Sequence, residues 1–417
     1  MASYNSYIAQ DLIRVADVLK DEFLPFLNNG INTEADPFLE KIKKGTLTAS
    51  TGRYGTRIGI GGGFGMSAER QPTPNAVAPL YEDLKYTSKD GYVDIKLSHK
   101  DVTLARNNTG ALIDTVTDAM DASYEAAKWN VGRMLFGDGT GLLAACTAAV
   151  STSSAELTVG DTSRLIEGLV VDLYAPAAST IGSGNAALQI VSVDHVNKKV
   201  LLSSAPGTAL SSADASSNYA YIYVQGSKDR EITGLAKIFA PASSTATDIG
   251  YSIYGVTKSD NAWINPFIVD ADHDISDVVI TDAIRYATKR NGKIDMVLAG
   301  GDAYNAYEYY MRETGLNTNI VEKRRFLSGA AGYDIMFGDR IATLVRSDFV
   351  PASEMWCVDT SQFELRQTGW DFVDYQGSPF VLMPDTSVYR ALLANYMELI
   401  CKNPGTCVRI TDADAST

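Results

Sequence analysis

Apolar residues recur at helical spacing twice in the first third of the chain. Ile8, Leu12, Val15, Ala16, Leu19 and Phe23 lie three or four residues apart and so line one face of a helix. Pro25 and the Asn28-Asn-Gly30 turn end it. Leu112, Val116, Met120, Tyr124, Ala127, Val131 and Leu135 repeat the pattern more strongly. Asn107, Asn108 and Thr109 offer caps in front of this second helix, and Gly137-Asp-Gly-Thr-Gly141 closes it. At about 1.5 Å per residue it is a beam of roughly 40 Å. Between the two helices the pattern changes. Gly59-Ile-Gly-Gly-Gly-Phe-Gly65 and Gln71-Pro-Thr-Pro-Asn75 exclude helix. Tyr92-Val-Asp-Ile-Lys-Leu97 alternates with period two, with Val93, Ile95 and Leu97 on one face. Residues 45–100 therefore read as a two-stranded excursion with a Gly/Pro-rich tip. A hairpin of that kind is marginal alone, and the first helix also needs a partner for its stripe.

From 142 to 230 Ala, Ser, Thr and Gly dominate and short strand-like runs recur: Leu169–Tyr174, Leu188–Val193, Val200–Leu202 and Tyr219–Val224. Turn clusters separate them, and Gly-rich joints stand at either edge, so this part reads as a small all-β module, a barrel or a sandwich, set into a host loop. The rest of the chain is mixed. A helix runs through Val278, Ile280, Ala283, Ile284 and Ala287, a strand follows at Lys293–Leu298, and a second helix at Ala303–Met311. Further strands are expected at Ile341–Val345, Met355–Val358 and Phe380–Met383. No internal repeat is present.

Composition narrows the class. The chain has 417 residues, 45% of them apolar, and a formal net charge of −14. It is a folded protein of several structural units, and its acidity disfavours binding to nucleic acid through overall charge. MASYNSYIAQ has neither the basic run nor the apolar core of a signal peptide, and no run of about 18 apolar residues suggests a spanning helix. The four cysteines fit a reducing cytoplasm; Cys401 and Cys407 flank a Lys-Asn-Pro-Gly-Thr turn and read as reduced strand cysteines.

The residues that carry chemistry are few. His99, His195 and His273 are the only histidines, and none has metal-ligand spacing. Asp270-Ala-Asp-His-Asp274 begins like a calcium loop, but Ile275 stands where that loop needs Gly and Thr281 where it needs Glu. These acids read instead as favouring the N-terminal end of the next helix. The glycines at 59–65 miss the dinucleotide pattern at Phe64, and no phosphate loop or nucleophile elbow occurs. Lys41-Ile-Lys-Lys44 and Lys323-Arg-Arg325 read as solvated loop faces, and Tyr304-Asn-Ala-Tyr-Glu-Tyr-Tyr310 as packing or an oligomer interface. No enzyme, cofactor or metal is expected.

The order of these parts resembles the major capsid protein of tailed bacteriophages, the Hong Kong-97-type shell fold. Leu112–Phe136 is similar to its spine helix and Gly45–Leu97 to its extended loop. The Asp277–Lys289 helix with Ile294–Leu298 and Asp302–Met311 resembles its axial domain. Trp356–Asp359 and the run Ala391–Ile410, with its Asn-Pro-Gly break, resemble its closing strands. The resemblance implies an α+β fold divided into an N-terminal arm (1–44), an extended β loop (45–100), a peripheral domain with the spine helix (101–141), a β-rich insertion (142–232), an axial domain (233–345) and a return to the peripheral domain (346–417). It implies pentamers and hexamers of the chain itself in an icosahedral virion shell around double-stranded DNA, assembled in the host cytoplasm without a membrane. A separate scaffolding protein and a portal are implied partners. The subunit-contact candidates are Leu12, Leu19 and Phe23 of the arm and Phe64, Arg70, Tyr81, Lys85 and Lys89 of the loop. Some relatives join a loop Lys to a neighbour's Asn with help from a Glu. Lys85 and Lys89 are available, but no such Asn and Glu can be placed, and crosslinking is not predicted either way. An encapsulin-type shell and a carbohydrate-binding surface protein are the alternatives.

Overall fold

The computed structural model describes residues 27–414 except 29, 33–35, 59–63, 70–71, 73–74, 76–77, 79, 101–108, 177, 215, 247, 314–324, 328–329, 338–339, 374–379 and 384–385; along 109–117, 325–327, 330–334 and 336–337 and at 340 it describes the backbone alone. The expected first helix, with its stripe from Ile8 to Phe23, lies outside the described residues.

Strands β1 (Thr51–Arg57) and β2 (Tyr81–Thr87) form an antiparallel ribbon, and β3 (Lys89–Ser98) follows after the single residue Ser88. The long helix α1 spans Thr109–Leu135. Its stripe faces inward as the spacing requires: Met120, Tyr124, Ala127, Val131 and Leu135 are all buried. Near the end of the chain the 14-residue strand β4 (Val388–Cys401) is the axis of a six-stranded sheet. It pairs antiparallel with β3 through ten register pairs and, on its other side, with 363–367, 371–372 and 380–382. This corrects the sequence reading in one respect. The alternating segment Tyr92–Leu97 is not an arm of the excursion. It is a strand of the main sheet, and its apolar residues Ile95 and Leu97 are buried there. The excursion is the ribbon β1–β2.

Residues 142–224 close on themselves. Their strands follow the order 142–146, 220–224, 170–174, 188–194, 199–202, 156–158. The last returns to the first through the bridge between Cys146 and Val159, with Thr147 N–H on Thr158 O and Gly160 N–H on Ala145 O, both at 3.0 Å. The module is thus a barrel with its own core, in which Val171, Leu173, Ile190, Val200 and Ile222 meet.

Where this barrel joins its host the chain is tightly fixed. Asp229 N–H donates to Thr140 O at 2.8 Å. At Gly234 a Cβ would stand only 2.4 Å from Gly137 O and 2.6 Å from Met134 O, so only glycine fits.

A third unit is a seven-stranded mixed sheet in the order 267–270, 408–411, 355–358, 296–299, 340–346, 330–337, 325–327. Helices Asp277–Lys289 and Gly301–Glu313 lie in the core on one face. Strand period two explains how this sheet joins the rest. Met296, Leu298, Trp356 and Val358 point into the main core, while Val297, Ala299, Met355 and Cys357 point to the helices. A sheet apolar on both faces is buried on both. Helices and mixed sheets together make an α+β fold.

Several local readings resolve here. The Asp270–Asp274 turn is used differently from the expectation: Ser276 caps the following helix, without a side-chain bond, and the turn reaches the far end of the chain. His273 N–H donates to Asp412 O at 2.9 Å, and His273 Nδ1 lies 2.5 Å from Asp414 Oδ1. Two extended strand ends, 270 and 411, deliver these groups side by side. In the tyrosine-rich helix Tyr307 is buried and donates to Asp277 Oδ1 at 2.7 Å, which is packing chemistry. Lys44 Nζ donates to the carbonyls of Leu39 and Glu40 at 2.6 and 2.9 Å and so caps a short helix. All four cysteines are free and buried.

Candidate functional site

The ribbon β1–β2 leaves the main core with an inward and an outward face. Leu84 and Tyr86 point inward and belong to the core that α1 and β4 share. Thr56 Oγ1 donates to Lys402 O at 2.8 Å, and Lys85 N–H donates to Tyr254 O at 2.8 Å. Two cations brace the ribbon's aromatic residues. Lys402 Nζ lies 5.6 Å from the Tyr54 ring centroid, and the Arg366 guanidinium lies 5.2 Å from that of Tyr86 and bonds its hydroxyl. Glu364 joins both cations, at 3.2 Å from Lys402 and 3.1 Å from Arg366. Burial opposes the charge on Glu364, but the hydrogen bonds from Lys402 and Arg366 outweigh it and hold the carboxyl below its usual range.

The ribbon is therefore not bare along its whole length, as the sequence suggested. Its inner end supplies core residues to its own chain. Its outer end carries large apolar groups in solvent: Tyr81 is 59% exposed, Phe64 90% and Met66 93%. Of the eight contact candidates, Phe64 and Tyr81 stand at this outer end. Lys85 is exposed at the inner end, where it packs over Gly255. Lys89 is half-buried, with Nζ 3.4 Å from Asp229 O. Leu12, Leu19, Phe23 and Arg70 lie outside the described residues.

Several buried charged groups escaped the sequence reading, Arg133, Glu231, Glu398 and Asp36 among them. Arg133, on α1, holds Glu231 through two hydrogen bonds of 3.0 and 2.6 Å, with both side chains almost fully buried. Glu398 Oε1 accepts from Thr233 N–H at 2.9 Å, and burial pushes its carboxyl up to about 7. Asp36 accepts from Phe38 N–H at 2.7 Å, and burial likewise raises it to about 7. No local pattern marks them, because each is buried by residues distant in sequence. Beside Arg133 a groove of about 700 Å³ opens between β3, α1, the barrel end and Trp370. Among the described residues no group of His, Cys, Asp or Glu is placed to hold a metal ion.

The sequence matches no family model, and no curated protein resembles it in sequence. Solved structures do resemble it. A chain of the cyanophage A-1(L) capsid superposes on 93% of this chain and 92% of its own length with a TM-score of 0.51 at 10% identity. The chain has a phage capsid fold. The capsid of a native gene transfer agent particle gives 0.43 at 9% identity over 91% of this chain and 90% of its own. The SrpI encapsulin of Synechococcus elongatus gives 0.43 at 9% identity over 92% and 90%. In this capsid fold α1, the six-stranded sheet and the base of the ribbon share one core, and the ribbon's outer end stays in solvent. No described helix is long and apolar enough to cross a membrane.

Proposed function

We infer that this chain is the major head protein of a tailed bacteriophage, whose copies build a closed icosahedral shell around double-stranded DNA. The observation that carries the reading is the capsid fold, which extends over 93% of the chain. The exposed outer end of the ribbon supports it, because a single copy leaves Phe64, Met66 and Tyr81 in water and a tiled shell covers such groups.

In this reading residues 1–44 are the arm, the ribbon of 51–87 the extended loop, 101–141 and 346–417 together with β3 the peripheral domain, and 233–345 the axial domain. Residues 142–232 are an inserted barrel. The contact residues are Leu12, Leu19, Phe23, Phe64, Arg70, Tyr81, Lys85 and Lys89. Pentamers and hexamers assemble in the host cytoplasm with a separate scaffolding protein and a portal. A net charge of −14 keeps contact with DNA phosphate weak, so the genome is packed and released without adhering.

The test is to express the chain with and without a candidate scaffolding protein and to recover particles from infected cells. Closed shells that protect double-stranded DNA from nuclease are expected. Particles loaded with protein cargo and free of DNA would make the chain a nanocompartment shell instead.

A further inference from the structure

The inserted barrel carries its exposed apolar surface on one side. Among the described residues of 142–224 four large apolar side chains stand in solvent: Ile166, Val191, Val196 and Leu201, at 43, 51, 90 and 42% exposure. All four come from two neighbouring segments, the loop 162–168 and the hairpin made by Leu188–Asp194 and Lys199–Leu202.

The backbone gathers them. Ile190 pairs with Leu202 and Val193 with Val200, and these four turn toward the barrel's core. Between the two pairs the register shifts, so Val191 and Ser192 together oppose Leu201 on the outer side. The loop lies along the other edge of Leu188–Asp194. Gly168 N–H donates to Ile190 O at 2.9 Å, and His195 Nδ1 lies 3.0 Å from Thr162 Oγ1. Ile166 stands between these two ties.

The face is held firmly. Asp194 Oδ1 accepts from the N–H groups of Val196 and Asn197 at 3.0 and 2.9 Å, which fixes the turn that carries Val196. From the loop, Arg164 donates to Phe136 O and Phe349 O at 3.2 and 3.3 Å, so the patch is tied to the end of α1 and to the host. Apolar groups fixed before contact lose little freedom on binding.

Charge and size choose the partner. The exposed rim carries Lys198 and Lys199 with Glu156 and Glu167, and Lys199 Nζ lies 2.7 Å from Glu156 Oε1. Asp161 and Asp194 also border it, with their carboxylates engaged by Ser163 and Asn197. An apolar centre rimmed by both signs complements itself, which the rest of a chain of net charge −14 does not do. A free partner binding from solution needs roughly 800 Å² a side and about 20–30 residues. Four apolar side chains and their rim fall well short of that. A second copy already held nearby by other contacts does not need so much, because its effective concentration is high.

We propose that this face of the barrel pairs with the same face of the barrel in a second copy, about a two-fold axis, within the assembled shell. The contact rests on the shell reading and gives the inserted barrel its role there: it fastens together copies that other surfaces have already brought side by side.

The experiment puts one cysteine on the face of the full-length chain, as Ile166→Cys, Val196→Cys or Leu201→Cys, assembles each variant alone, oxidises, and reads dimers on a gel. The native cysteines are buried and contribute little background. A two-fold axis brings a residue close to its own copy, so at least one of the three should link in particles. The same variant left unassembled, and the exposed control Ser212→Cys on another loop of the barrel, should stay unlinked. The double variant Val191→Asp/Leu201→Asp sets like charges across the contact and should speed the break-up of particles in dilute denaturant at least fivefold. Particles with no link at any of the three positions, or with an unchanged rate of break-up, would overturn the pairing and leave the shell reading standing. A separate protein seated on this face in particles from infected cells would do the same. Absence of particles from the unmodified chain would overturn both.

Discussion

Arg133 and Glu231 meet in a bidentate ion pair, 98 residues apart in sequence and only 2% and 4% exposed. It fastens the last turns of α1 to the chain that leaves the barrel, so the barrel is docked to its host by a buried charge pair and not merely tethered.

Breaking that pair from one side leaves a charge buried and alone. Arg133→Ala should destabilise the unassembled chain by about 3–5 kcal/mol, whereas Arg133→Met with Glu231→Leu should cost far less. Denaturant midpoints of the two variants check this, and an unchanged midpoint for Arg133→Ala would contradict it.

The buried acids give a pH dependence of definite sign. Asp36 and Glu398 have folded-state values of about 7, above the usual 3.8 and 4.5. The unfolded chain ionises first as pH rises, so their contribution is full at low pH, falls between about pH 4 and 7, and is flat above. Glu398→Gln keeps an acceptor for Thr233 and should remove its share, raising stability at pH 8 by on the order of 1–3 kcal/mol relative to pH 4. The difference between variant and parent in thermal midpoint, followed from pH 4 to 8, measures it.

Lys258 supplies the opposite slope. Its ammonium is fully buried and donates to the carbonyls of Lys237, Ile238 and Ala240 at 2.8, 3.1 and 2.8 Å, and burial lowers it to about 8. Between about pH 8 and 10.5 the unfolded chain holds the proton that the folded chain has lost, so stability from this group rises with pH. Lys258→Met should abolish that rise and cost about 1–3 kcal/mol through three carbonyls left without donors. Unfolding curves at pH 8 and 10 test both.

Gly234 admits no side chain. Gly234→Ala forces a Cβ to 2.4 Å from Gly137 O and should destabilise by about 2–4 kcal/mol or expel the barrel from its seat. Limited proteolysis at the 137–142 and 226–234 joints would show the loosened form, and an unchanged digestion pattern would contradict the steric account.

What was legible in the sequence follows from periodicity. The α1 stripe, four of the six barrel strands and the two helices of 277–313 are local patterns that formed where they were placed, while strands 142–146, 156–158, 325–327 and 330–337 carried no pattern that announced them. The role of 92–97 was misjudged for a physical reason. A half-buried strand looks the same whether its partner is the preceding strand or one 300 residues later, and only the Ser88 break separates β2 from β3. Arg133, Glu231 and Glu398 were invisible because their burial comes from remote segments. The base of the ribbon was missed likewise, since Tyr54 and Tyr86 find Lys402 and Arg366 only through the sheet.

Electron microscopy of the purified chain at rising concentration, with and without a candidate scaffolding protein, tests the central claim most directly. Closed shells of uniform diameter are predicted, lost when only the ribbon's outer tip, residues 58–80, is replaced by a short turn that leaves Leu84 and Tyr86 in the core. A chain that remains a lone monomer under every condition, or a tip-replaced variant that still forms normal shells, would contradict the account.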